Sequence, residues 1–462
     1  MLVLLLMAVT GAWAAAKTID LSNVTEATTA NNGDVLTGTL ANNVQISIAD
    51  GATVTLNNVS INADGSWTSG YYAGITCKGN ATIVLAESST NTVKSFDEGY
   101  PGIYISDDHK LTIQGSGSLT ASSNGSLTPG SNGYGAGIGG GRSLACGDIT
   151  IESGTIIATG GVNSAGIGGG DVTSCGDISI NGGIITATGG ESGAGIGAGY
   201  YGSCGNISIT GGTVNATGGN FATAIGHGYL STCGSITLTL ADNVNNGSTL
   251  TSFKGITADV TLKRTLNAGG WNTFCAPFST ATPSGWTVKE LTGSSFDSST
   301  GQLTLDFGDA VSIEAGRAYL VKVTANVVNP TFEGVTIANV TTTTETTYAD
   351  FVPVMNPTPL TANDKTVLFV SGGNKLTYPS KTSNINGFRA YFHLKGDAVS
   401  NASVFEMSFD DESTGITEID DSQAHDVRFN SNGIYTLDGR RIEGQPTAKG
   451  IYIQNGRKVF IK

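Results

Sequence analysis

Four segments of the chain align without a gap: AGIGGGRSLACGDITI at 136–151, AGIGGGDVTSCGDISI at 165–180, AGIGAGYYGSCGNISI at 194–209 and TAIGHGYLSTCGSITL at 223–238. Their cysteines, Cys146, Cys175, Cys204 and Cys233, stand 29 residues apart. Eight residues before each lies Ile138, Ile167, Ile196 or Ile225, and three after it Ile149, Ile178, Ile207 or Ile236. A fixed period of this size marks a stacked, quasi-one-dimensional architecture. Within each unit apolar residues alternate with polar ones, as in Ile149/Ile151 and Ile156/Ala158, and glycines punctuate the strand ends. Three short strands and three glycine-rich turns make one coil, so the expected fold is all-β: a right-handed parallel β-helix of 29-residue coils. Stacking pairs each strand with the next coil at about 4.8 Å.

The 462 residues exceed one compact core, so two or three domains are expected. Sixty-six glycines and few charged residues fit an extracellular β protein, and a net charge of −14 gives no reason to expect nucleic acid or anionic membrane as partners. The apolar run ending in Ala12-Trp13-Ala14 reads as a secretory signal peptide within residues 1–16, too short to span a bilayer. No cysteine follows the expected cleavage site, which argues against a lipoprotein anchor. The expected location is secreted or on the outer cell surface.

Residues 17–261 are assigned to the β-helix, less regular before about residue 130, with Trp67, Tyr71, Tyr72, Tyr100 and Tyr104 clustered there and a cap expected from Asp20 to Gly38. Ala73-Gly74-Ile75, Thr82 to Leu85, Asn91-Thr92-Val93, Gly102-Ile103-Tyr104 and Leu111 to Gly117 carry a resemblance to secreted β-helical carbohydrate-binding proteins related in fold to pectate lyases. It covers roughly residues 50 to 240 and rests on structural rather than catalytic positions. The glycine repeat stops near Val260, and residues 262–410 suggest a β-sandwich that looks like an accessory module of Bacteroidetes surface proteins. An acidic linker, 411–421, leads to residues 422–462. Gly433-Ile434-Tyr435, Leu437 to Arg441 and Lys449 to Ile453 are similar there to C-terminal sorting tails of Bacteroidetes exported proteins. That resemblance implies a type IX secretion machine as a partner, against the plainer reading of a small β-domain that caps the protein.

Three repeating columns are candidates for chemistry. The cysteines, spread along the axis, cannot converge on one zinc, which leaves a ladder of buried thiols or one or two disulfides between neighbouring coils. Asp148, Asp177 and Asn206, followed by Ser235, lie two residues after the cysteines. Such a column either binds calcium, as the resembled family makes more plausible, or closes turns through Asx-type hydrogen bonds. Four residues before the cysteines come Arg142, Asp171, Tyr200 and Tyr229, with Tyr201 and His227 beside them and Tyr134 at the edge. Aromatic rings among polar groups suit a sugar ring and its hydroxyls; the alternative is that the tyrosines shield corner turns. Threonine ladders (Thr159, Thr188, Thr217, with Thr186 beside Asn215) are interrupted by Ile157 and Ile184, and strand propensity explains them better than ice binding.

No enzyme is expected. Lyase chemistry needs a basic residue, and no Lys or Arg lies between Arg142 and Lys254. Asp148/Glu152 and Asp171/Asp177 are not singled out by spacing as a hydrolase pair. Lys78, Lys94, His109 and Lys110 are the remaining basic groups of the helix. No Ser-His-Asp, zinc or phosphate-loop signature occurs. The leading expectation is non-catalytic binding of polysaccharide along the helix face; the alternatives are a structural adhesin or stalk with protein partners, and a degenerate polysaccharide lyase.

Overall fold

The computed structural model describes residues 16–62, 71–124 and 133–409, together with the strands Glu418–Ile419, Ile434–Tyr435, Arg441–Ile442, Gly450–Gln454 and Arg457–Ile461. The expected leader, up to residue 15, and Trp67 lie outside the described residues. The chain forms a parallel β-helix with further β modules after it.

In a regular coil Asp148–Ile151 runs along one face, a turn follows, and Thr155–Thr159 runs along a second. Ile167–Gly168 forms a third face. A fourth strand, Ser174–Cys175, was not expected from the alternation, because two residues are too few to show any. The register is strictly periodic: Ile149 pairs with Ile178 and then Ile207, Ile156 with Ile185 and then Val214, and Ile138 with Ile167, Ile196 and Ile225. These side chains fill the lumen and are all but fully buried. Each contributes roughly 1.5–3 kcal/mol by burial.

The first two faces merge into one 16-stranded sheet. The join is Ala52–Ile61, whose first half pairs with Ala81–Leu85 and whose end pairs with Thr90–Lys94. Asn58, at φ 57°, makes the bend between them. The third face holds eight strands, from Thr28–Ala30 to Ile225–Gly226. Its glycine column is obligatory: Gly168 has φ 128°, and a Cβ there would come 2.1 Å from the carbonyl oxygen of Gly197. At the start, Thr18–Asp20 pairs in parallel with Val35–Thr39, so the segment expected to be a cap is itself the first coil.

At the far end, the short helix Gly247–Ser252 covers the open edge of Thr213–Thr217. The Val214 N–H donates to Thr249 Oγ1 (3.2 Å) and the Ala216 N–H to Ser252 Oγ (2.9 Å), replacing the bonds a further coil would give. The other face continues through Thr257–Lys263, which crosses residue 261, and is closed by antiparallel Thr331–Thr336 from the following module. The helix and that module therefore share a sheet and part of a core.

The module has a six-stranded and a five-stranded sheet. Phe351 and Phe392 stack at 4.4 Å, and both meet Phe307 edge-on at 6.1 Å across the two layers. Glu418–Ile419, inside the expected linker, adds a strand to this sheet. The last four strands form a separate antiparallel sheet.

Candidate functional site: an aromatic corner on the regular coils

The corner just before the cysteine strands carries two columns of side chains, eight residues apart in each coil: Tyr134 with Arg142, Asn163 with Asp171, Ser192 with Tyr200, and Phe221 with Tyr229. Backbone bonds between coils hold them together. The N–H groups of Asp171, Tyr200 and Tyr229 donate to the carbonyls of Tyr134 (3.1 Å), Asn163 (2.8 Å) and Ser192 (2.9 Å).

A third column follows directly. Ser143, Val172, Tyr201 and Leu230 all adopt left-handed backbone, with φ from 47° to 54°. Such a conformation costs a non-glycine residue about 1–2 kcal/mol, and it is rarest for β-branched side chains such as valine. The first three are held by the next coil: the N–H groups of Ser143, Val172 and Tyr201 donate to the carbonyls of Asp171, Tyr200 and Tyr229. The result is outward-facing apolar side chains, with Val172 at 52%, Tyr201 at 54% and Leu230 at 58% exposure.

The corner has two unlike ends. At the aromatic end, Tyr200 and Tyr229 stack with planes 5° apart and centroids at 5.9 Å. Tyr201 meets Tyr200 edge-on at 4.4 Å, and Phe221 leans on Tyr229 at 5.4 Å. Because Tyr200 and Tyr229 cover one face of each other, the ring faces left to a ligand belong mainly to Tyr201 and to Phe221, which is also well exposed. The disulfide Cys204–Cys233, with Cα atoms 4.6 Å apart, ties together the two coils that carry this end. Cys146 and Cys175, under the other end, are free and buried, and burial and the neighbouring Cys175 push the Cys146 thiol well above its ordinary value. One bridge and two free thiols thus divide the column that the sequence left open.

At the polar end, the Arg142 guanidinium lies 4.5 Å over the Tyr134 ring. Its Nε is 3.5 Å from Asp171 Oδ2. Asp171 is not outward-facing as expected: it is buried, and Asn163 Nδ2 donates to its Oδ1 at 3.2 Å. Burial raises its pKa, against the lowering effects of Asn163 and Arg142. It therefore acts within the coil wall rather than on a ligand. His227 is exposed on the last coil, with Nδ1 3.3 Å from the Ser231 carbonyl. Phe221 was missed from the sequence; adding 29 three times to Tyr134 reaches it.

The column of Asp148, Asp177 and Asn206 closes turns. Asp148 Oδ1 accepts the Asp177 N–H (2.8 Å), Asp177 Oδ1 the Asn206 N–H (2.7 Å), and Asn206 Oδ1 the Ser235 N–H (2.9 Å). Calcium takes six to eight oxygens. Two carboxylates and one amide, spaced one per coil and each with an oxygen already accepting a backbone N–H, do not supply that number. Among the described residues, no group of three or more His, Cys, Asp or Glu gathers at one point. Glu152, considered beside Asp148, accepts from Asn181 Nδ2 at 3.1 Å, one step of another inter-coil ladder.

Comparison with known families adds one finding. A family model described as a beta helix repeat matches residues 149–171, 178–200 and 207–228, within the regular coils that carry the corner. No curated protein and no solved structure matches the chain.

Proposed function

We propose that the protein binds polysaccharide without cleaving it, as an exported protein, through the aromatic corner of its regular coils. One observation carries this reading: Tyr200, Tyr201, Phe221 and Tyr229 form a contiguous aromatic cluster in which Tyr201, on left-handed backbone, and Phe221 are the most exposed, over coils joined by a disulfide. Rings held in place before the ligand arrives lose little freedom on binding, and their apolar faces suit the C–H faces of sugar rings. The absence of Lys and Arg between residues 142 and 254 supports binding over lyase chemistry. Engagement of a secretion machine by residues 422–462 belongs to the same proposal; retention inside cells of a variant truncated after residue 421 is its readout.

The test is retention of the full chain on a panel of soluble and insoluble polysaccharides, with and without EDTA, while absorbance follows unsaturated uronide release. Tyr201→Ala/Phe221→Ala is expected to weaken retention at least tenfold, equivalent to about 1.4 kcal/mol, with no product formed and no effect of EDTA. Undiminished retention by that variant would remove the corner from the function. Val172 and Leu230 favour a second reading, because exposed aliphatic groups in the same stripe suit a protein partner. Failure to bind any glycan, with capture of a surface protein abolished by Leu230→Ser, would select that adhesin reading.

A further inference from the structure

A separate cavity of about 420 Å³ opens where the last coil meets the sandwich. It is lined by Arg264, Trp271, Asn272, Asn374 and Arg389, among others, and none of the described residues lining it is acidic. Arg264 is only 6% exposed. Its Nη1 donates to the Phe388 carbonyl and its Nη2 to the Thr273 carbonyl (3.1 Å), while Nε has no partner. Its Cζ lies 5.5 Å from the centre of the Phe274 ring. Arg389, which also lines the cavity, is paired with Asp242 at 2.7 Å. Burial, with the nearby Arg389, pulls Arg264 down to about 9, which still leaves it charged at neutral pH. Nε is sealed from solvent, but each Nη that bonds a carbonyl keeps a second N–H, and a desolvated cation with so few acceptors is stabilised by an added anion.

We propose that this cavity is a subsite for a carboxylate-bearing sugar, a uronic acid residue whose carboxylate pairs with Arg264. The planar guanidinium matches a carboxylate in geometry. Asn374, whose Oδ1 accepts the Trp271 N–H, has its Nδ2 to offer a sugar hydroxyl, and the volume falls within the range of small-molecule sites. A second cavity of about 340 Å³ shares Thr273, Val370 and Arg389 with the first and gives room for a following sugar. The subsite is distinct from the aromatic corner and does not depend on it.

Isothermal titration of the full chain with sodium glucuronate, glucose and inorganic sulfate tests the assignment. Glucuronate is expected to bind at least tenfold more tightly than glucose or sulfate. Arg264→Gln should abolish binding; because a buried arginine also supports the fold, Gly372→Trp provides the independent variant. Gly372 lines the cavity and an added Cβ meets nothing within 4 Å, so tryptophan should fill the space, leave Tm unchanged and remove binding. Tyr201→Ala/Phe221→Ala should bind glucuronate as the parent does, which separates this site from the corner. No glucuronate binding by the parent, or binding that survives Gly372→Trp, would overturn the proposal. Sulfate binding as tight as glucuronate binding would overturn the sugar assignment.

Discussion

The β-helix and the sandwich place their aromatic residues in opposite ways. Among the described residues from Ile19 to Leu262, the one aromatic in the buried hydrophobic set is Phe253, which sits under the terminal cap; the rest are mostly isoleucine, leucine, valine and alanine. In the sandwich, Phe307, Phe351 and Phe392 form the centre of the core. The cause is geometric. Coils stacked at about 4.8 Å put the same position of successive coils in direct contact. An aromatic ring in that lumen would have to be matched above and below, and overpacking costs about 1–3 kcal/mol. Two sheets about 10 Å apart have room for rings that meet at angles. An aromatic residue in the coils is therefore informative about the surface, whereas in the sandwich it is informative about packing.

The largest expected effect tests that contrast directly. Phe351→Ala should destabilise the protein by about 3–5 kcal/mol through the cavity it leaves, whereas Ile167→Val in the lumen should cost about 0.5–1.5 kcal/mol. Tyr201→Ala on the corner should stay within about 0.5 kcal/mol of the parent. Equilibrium urea unfolding measures all three. A Tyr201→Ala loss as large as that of Phe351→Ala would show that the corner rings serve packing, and the contrast would fail.

The same geometry explains what the sequence could disclose. A 29-residue period makes partners predictable, so the lumen isoleucines, the glycine column, the Asp148–Asp177–Asn206 ladder and the Tyr200/Tyr229 stack were all legible as columns. Phe221 was hidden because its column holds four unrelated residue types in a glycine-rich loop, where no alternation marks the position. The inward turn of Asp171 was hidden because the column around it contains both exposed and buried members. Beyond Lys263 no period exists. The closure of the helix by Thr331–Thr336 and the lining of one cavity by both Arg264 and Arg389 depend on pairs 70 or more residues apart, which local pattern does not reveal.

An intermediate effect concerns the two ends of the corner. The Cys204–Cys233 bridge closes a loop with a sequence separation of 29, for which restriction of the unfolded chain gives roughly 3–4 kcal/mol as an upper estimate. Its neighbours are already paired by backbone bonds, so Cys204→Ser/Cys233→Ser is expected to lose about 2 kcal/mol by chemical denaturation. Polysaccharide retention should fall in the same variant, because the aromatic end loses its covalent tie. Equal retention with lowered stability would mean that the stacked backbone alone keeps the rings in place.

The smallest effect belongs to the polar end. Burial raises the Asp171 pKa despite Asn163 and Arg142, so the folded protein holds this proton more tightly than the unfolded chain. For a carboxyl shifted in this direction, the contribution to stability is most favourable below the ordinary value of about 3.9 and declines as pH rises from there through the folded pKa. Asp171→Asn cannot titrate. It should match or exceed the parent in Tm at pH 7, and the difference should close below about pH 4. The Arg142 partner is itself largely exposed, which limits what the ion pair returns. A variant clearly less stable than the parent at pH 7 would show that the Arg142 contact outweighs burial of the charge. In that case the polar end would be an ionic clasp between two coils, and the corner would be held by charge at one end and by a disulfide at the other.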